Sequence, residues 1–322
     1  MKKKSNAALV MLNYGIIVVM LLMIVVFSIF SSNFLTLNTL FTILKKVAIT
    51  GIISVGMTFV LLTGGIDLSV GSVAGCTAVT AAILMKNLAM PIPLTILITL
   101  VISLIYGLFS GWCITKLNIP PLIATLGVQT ALRGLAFIVT SGLPVFGFNN
   151  TFSKFAAGTI LSIPYPVILM ALIFAAGIFI LKKTLIGRHL YGVGGNAEAS
   201  RLSGVNVVRV KLFAYAASGL LSGIAGLVLL SRTNSGQPSL GSGYEMDAIT
   251  AVVLGGVSLS GGEGKLPMVI VGVLIMGILS TGMIMCSIND YVQQLVQGLV
   301  LIAAVAFSQF ASKVRAKMIV AD

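Results

Sequence analysis

Charged residues are so sparse in this chain that the next one after Lys4 is Lys45, and nothing charged stands between Lys211 and Arg232. A helix needs about 20 apolar residues to cross the hydrocarbon of a bilayer, and this sequence supplies that length again and again. With 58% hydrophobic residues, 8% charged residues and a mean hydropathy of +1.13, the chain cannot cover a soluble surface of its own, which makes it a polytopic membrane protein. Chemistry is as thinly represented. There is one histidine, His189, and seven carboxylates, and the three cysteines, Cys76, Cys113 and Cys286, lack the paired spacing of a disulfide framework or zinc site. They read as packing residues. Neither a metal site nor a cofactor is expected, and the chain is not expected to be an enzyme.

Stretches poor in Asp, Glu, Lys and Arg predict an all-α integral membrane protein of about ten transmembrane helices in one domain over residues 1–322. The spans run from Tyr14 to Ser31, Leu40 to Thr63, Leu68 to Met85, Pro93 to Thr115, Pro121 to Ser141, Pro164 to Leu181, Leu212 to Ser231, Ala248 to Val257, Leu266 to Cys286 and Tyr291 to Ala311. The eighth is too short alone and needs the residues from Gly243 onward. Lys2 to Lys4 ahead of an apolar stretch could open a signal peptide, but no small-x-small cleavage site follows, so an uncleaved first span is expected. Leu37, Leu40, Phe41 and Leu44 predict an interfacial helix leading into the second span.

Ten crossings starting from the cytoplasm put fourteen of the twenty basic residues inside and five outside, with Arg133 left within a span. That asymmetry places both termini in the cytoplasm. The net charge of +13 is then accounted for by orientation and by anionic lipid headgroups, and no nucleic-acid partner is needed.

Gly64 to Gly71 is echoed by Gly255 to Gly262 at an offset of 191 residues, which predicts a parallel internal duplication. Leu259-Ser260-Gly261-Gly262-Glu263 looks like a nucleotide-contacting signature, but the phosphate-cradling G-x-x-x-x-G-K-[ST] is missing, so a tight turn is the better reading. Few polar groups are candidates for a pathway or gate. Asp67 follows the Gly64-Gly65 break, where it could cap the third span, or serve the inner gate or the ATPase contact. Gln129 and Arg133 share one face of the fifth span; Arg133 could snorkel, make a buried pair or line a pathway. Gln293 and Gln297 share a face of the tenth, where such amides commonly bond neighbouring helices. The longest polar segment, 182–211, contains Gly194-Gly195 as a turn, Asn196 as an N-cap, Glu198 in the first helical turn and Gly204 as a stop. The helix between them, Ala197 to Ser203, is too short to persist in water unless held against something, a partner or the lipid surface.

Val55-Gly56-Met57-Thr58, Gly65 to Ser72, Ile123 to Leu126, Arg133-Gly134, Gly194-Gly195-Asn196, Leu202 to Val207, Gly243 to Ile249 and Ala251 to Gly256 together resemble the permease subunits of ribose-type sugar ABC importers, in order and over nearly the whole chain. The resemblance implies alternating-access translocation of a monosaccharide. It implies partners: a second permease copy or paralogue, a cytoplasmic ABC ATPase and an extracytoplasmic sugar-binding protein. It also implies that Asn196 to Gly204, preceded by Gly194 and Gly195, is a coupling helix, with Ala199 and Leu202 as ATPase contacts. An ion-coupled secondary transporter or a passive channel is the alternative; the former would need intramembrane carboxylates, which the sequence does not place securely at mid-membrane.

Overall fold

The computed structural model describes residues 2–148 and 150–320, and the side chains of residues 15–148, 151–152 and 154–310. The basic residues of both termini, Lys2 to Lys4 and Lys313, Arg315 and Lys317, lie outside the described side chains, as does Asn149 altogether. The chain is helical almost throughout: α1 (Lys2–Phe30), α2 (Leu37–Leu62), α3 (Val70–Asn87), α4 (Ile92–Lys116), α5 (Pro121–Thr140), α6 (Asn150–Ala157), α7 (Tyr165–Lys183), α8 (Leu185–Gly195), α9 (Ala197–Leu202), α10 (Val207–Thr233), α11 (Tyr244–Leu254), α12 (Leu266–Met285) and α13 (Asp290–Val320). A two-residue hairpin, β1 (Thr159–Ile160) and β2 (Ile163–Pro164), stands between α6 and α7.

Local chemistry sets many of these limits. Thr36, Asn196 and Asn206 cap α2, α9 and α10 by accepting a backbone N–H three residues on. Proline opens α4, α5, α7 and α12, where its missing N–H costs nothing. Among the described residues eight helices are long and apolar enough to cross a membrane, and Gly15–Phe30 adds a shorter apolar one. The chain is therefore an all-α multi-pass membrane protein, as its sequence predicts.

The eighth segment is a half-span. With eleven residues α11 is about 16 Å long, roughly half the hydrocarbon thickness. The rest of that crossing is irregular chain running antiparallel to α3: Gly236 lies against Ala78 and Ala82, and Gly241 against Gly71 and Gly75. Non-helical backbone at membrane depth has to be enclosed by protein, and the glycines of α3 let it lie close enough to be enclosed.

The halves are related otherwise than the 191-residue offset suggests. Helix α10 packs on α2, α3 and α4; α2 packs on α10, α11 and α12; and the contacts of α3 with α4 and α5 match those of α11 with α12 and α13. So α2–α5 correspond to α10–α13. The central pair runs antiparallel, since Gly56 meets Ser218 while Gly65, in the turn just past the end of α2, meets the earlier residue Tyr215. This is the packing of opposite-direction copies, and it corrects the parallel duplication expected from the glycine echo. The two glycine corners do meet at the α8–α9 end, as neighbours rather than as equivalents, with Gly262 N donating to Leu62 O at 3.0 Å.

Candidate functional site

Asp67 sits in the corner between α2 and α3 with 1% of its surface exposed. Its Oδ1 accepts from Ser69 N (3.0 Å) and Ser69 Oγ (2.6 Å), and its Oδ2 accepts from Ser218 Oγ of α10 (2.8 Å). A buried carboxylate is tolerable only with such satisfaction. The same corner is held through the Ile66 carbonyl, which accepts from Tyr215 Oη at 3.3 Å and from Thr125 Oγ1 of α5 at 3.4 Å. Asp67 thus bonds across a two-residue turn to Ser69, the residue that begins α3, and ties that corner to α10 through Ser218.

Gln129 and Arg133 do share a face of α5, and the structure shows what they face. Arg133 Nη1 donates to the carbonyls of Pro238 and Leu240, both at 2.7 Å, holding the irregular chain that leads into α11. Gln129 Nε2 donates to Glu245 Oε1 at 3.1 Å. Glu245, in the first turn of the half-helix, is 7% exposed; its Oε1 also accepts from Gly243 N at 3.3 Å, while Oε2 has no hydrogen-bond partner among the described residues. Arg133 does not snorkel. It balances a carboxylate placed at a helix N-terminus, where the partial positive charge of the backbone also favours it.

Glu245 was not singled out in the sequence. The available signal was Glu245 and Asp247 directly ahead of an apolar stretch too short to span, which is how an enclosed half-helix reads. A further polar contact across distant helices joins Lys46 Nζ of α2 to Ser280 Oγ of α12.

Among the described residues Gln293 and Gln297 make no hydrogen bond to another helix. Gln293 is buried, and its Nε2 donates to Ile288 O (2.8 Å) and Asp290 Oδ1 (3.4 Å) at the start of its own helix. Gln297 is half-buried one turn on. The structure therefore brings Gln129, Arg133 and Glu245 together, while Asp67 and Gln293 each serve a separate corner.

The segment between α7 and α10 folds as its caps predict. Thr184 caps α8, Asn196 Oδ1 accepts from Ala199 N at 2.9 Å to start α9, and Gly204 at φ +85° ends it. No α9 side chain is buried; Ala199 is exposed, and Leu202 is 74% exposed beside it at i, i+3 spacing. Glu198 and Arg201 pair along the exposed surface, and the Arg201 hydrogen bonds hold the Glu198 carboxyl below its ordinary range. Gly194 and Gly195 end α8 immediately before the cap. Tyr191 Oη donates to Gly264 O at 2.9 Å, and burial pushes its phenol up, keeping it a donor.

Residues 39–305 match the family described as branched-chain amino acid transport system / permease component. Among curated relatives, the ribose import permease protein RbsC of Haemophilus influenzae is 41% identical over 292 residues, covering 89% of this chain and 90% of the relative. RbsC of Bacillus subtilis is 43% identical over 298 residues, covering 92% of each. The L-arabinose transport system permease protein AraH of Escherichia coli is 39% identical over 302 residues, covering 94% of this chain and 92% of the relative. No solved structure matches. A match spanning most of the chain, with relatives of this identity over nine-tenths of their length, establishes that the chain belongs to the branched-chain amino acid transport system / permease component family.

Proposed function

We propose that this chain is the membrane-spanning subunit of an ATP-driven monosaccharide importer, working as a pair of permeases with a cytoplasmic ABC ATPase and an extracytoplasmic sugar-binding protein. The observation that carries this reading is α9, a capped helix that buries none of its own side chains and offers Ala199 and Leu202 outward. Two turns of helix are marginal in water, so a helix built this way is made to be completed by a partner. Sugar as cargo is supported by the ribose and arabinose permeases among its relatives.

In this reading Gly194, Gly195, Asn196, Ala199, Leu202 and Gly204 form the ATPase-coupling element. The pathway runs where two copies face each other, near Gln129, Arg133 and Gln297, with Glu245 behind them. Asp67 pins the inner corner that closes the pathway, and Gln293 sets the start of α13. Alternating access follows if movement of α9 opens that corner. ATP is hydrolysed on the separate subunit, and Glu245, bound by Gln129 and faced by Arg133, has the partners of a structural group rather than those of an exchanging ion site.

Vesicles holding this chain with its ATPase and binding protein are expected to accumulate labelled ribose or arabinose only when ATP is supplied, and vesicles holding the chain alone are expected to accumulate neither. Accumulation by the chain alone under a proton or sodium gradient would place it among secondary transporters. The fourteen-to-five distribution of basic residues further orients the chain with both termini in the cytoplasm. Reporter fusions at each terminus should read cytoplasmic, and one within residues 149–154 should read external; an external C-terminus would overturn the orientation.

A further inference from the structure

The turn Leu259-Ser260-Gly261-Gly262-Glu263 is left without a role by everything above. In the structure it closes on itself, with Ser258 N donating to Glu263 O at 2.9 Å, and Gly261 and Gly262 take φ of +86° and +74°. Its outer surface is bare backbone laid against two other bare backbones. A Cβ on Gly261 would stand 2.7 Å from Gly64 N and 3.0 Å from Gly194 Cα, and one on Gly262 would stand 2.7 Å from Gly195 N. A Cβ on Gly194 would overlap the Leu62 carbonyl and Gly262 N. The three segments are tied as well as touching, through Gly262 N to Leu62 O and Tyr191 Oη to Gly264 O.

We infer that this three-way glycine contact carries displacement of α9 to both inner corners of the permease, with Gly194 and Tyr191 as positioning residues of the coupling step. Gly195 is one residue from the Asn196 cap, so α9 cannot shift along its axis without moving the end of α8. Side chains between packed elements can rotate and absorb a small movement, whereas backbone in van der Waals contact must pass it on. What receives it is the end of α2, continuous with the corner that Asp67 pins to α10, and the turn leading into α12. One contact thus reaches the corner ending α2 and the corner opening α12, which lie in opposite halves of the chain.

The inference rests on α9 being the ATPase contact, and the two can fail separately. The assembled complex of permease, ATPase and binding protein would be compared with its Gly194→Ala and Tyr191→Phe variants, reading sugar transported per ATP hydrolysed. Both variants leave the outward surface of α9 intact, so both are expected to retain the ATPase. Gly194→Ala is expected to lose most uptake while ATP hydrolysis continues. Tyr191→Phe adds no atom and removes one bond, and is expected to lower the ratio by roughly two- to tenfold. An unchanged ratio in an assembled Gly194→Ala complex would overturn the inference. If that variant does not assemble, Tyr191→Phe decides alone, and an unchanged ratio there overturns it equally. Failure of α9 docking itself would show instead as normal association and transport by a Leu202→Asp variant.

Discussion

Leu202→Asp is expected to leave the chain folded and inserted while ATP-dependent sugar uptake falls by more than about tenfold, because a carboxylate placed in a desolvated contact costs on the order of 2 kcal/mol or more. Folding is spared because Leu202 is 74% exposed, and the α9 residue that packs against the core is Ala197, on which the substitution does not act. The measurement is co-purification of the ATPase with the variant, beside uptake by the reconstituted complex. Leu202→Ala, which keeps the surface neutral, should show a weaker loss in the same assay. Normal association and uptake by Leu202→Asp would remove Leu202 from the contact and favour α9 lying on the lipid surface.

Arg133→Ala is expected to act on the permease itself. It removes the donor to Pro238 and Leu240 and the cation facing Glu245, leaving a buried carboxylate opposed by no positive side chain on α5. The cost is about 3 kcal/mol, since hydrogen bonds to charged groups and unpaired buried charges are each worth that order. Thermal unfolding in detergent should move down by several degrees, and transport should fall with it. Glu245→Gln introduced together with Arg133→Ala should recover part of the loss, because the charge left unopposed is then gone. An unfolding midpoint unmoved by Arg133→Ala would show that the irregular chain before α11 is held by other contacts.

The bonds of Arg133 to Pro238 and Leu240, and of Gln129 to Glu245, also mark the limit of what the sequence reveals. That Arg133 is a cation on a helix inside the membrane follows from its neighbours, as does Gln129 on the same face. That its partners lie more than a hundred residues away, on a segment that reads as an incomplete span, does not. Glu245 falls in the extension from Gly243 that the eighth span needs, and nothing in the sequence shows which residues face it. Only enclosure by α3 and α5 turns that position into an interior one.

The same division holds for α9 and for the inner corners. Asn196 as a cap, Gly204 as a stop and a helix over Ala197–Leu202 were all legible, since caps and stops are made by residues within one turn of the helix end. So were the long apolar spans, because hydropathy is a sum over consecutive residues. The sequence by itself thus determined that the chain is a bundle of membrane helices with one exposed, capped helix in its longest polar segment. Tertiary structure alone decided that α11 stops halfway, that the halves pack as opposite-direction copies, and that Asp67 reaches Ser218 of α10. Each of those depends on which helices face each other inside a medium as apolar as their own surfaces. There close approach and hydrogen bonding between distant residues, rather than hydrophobic burial, select the arrangement.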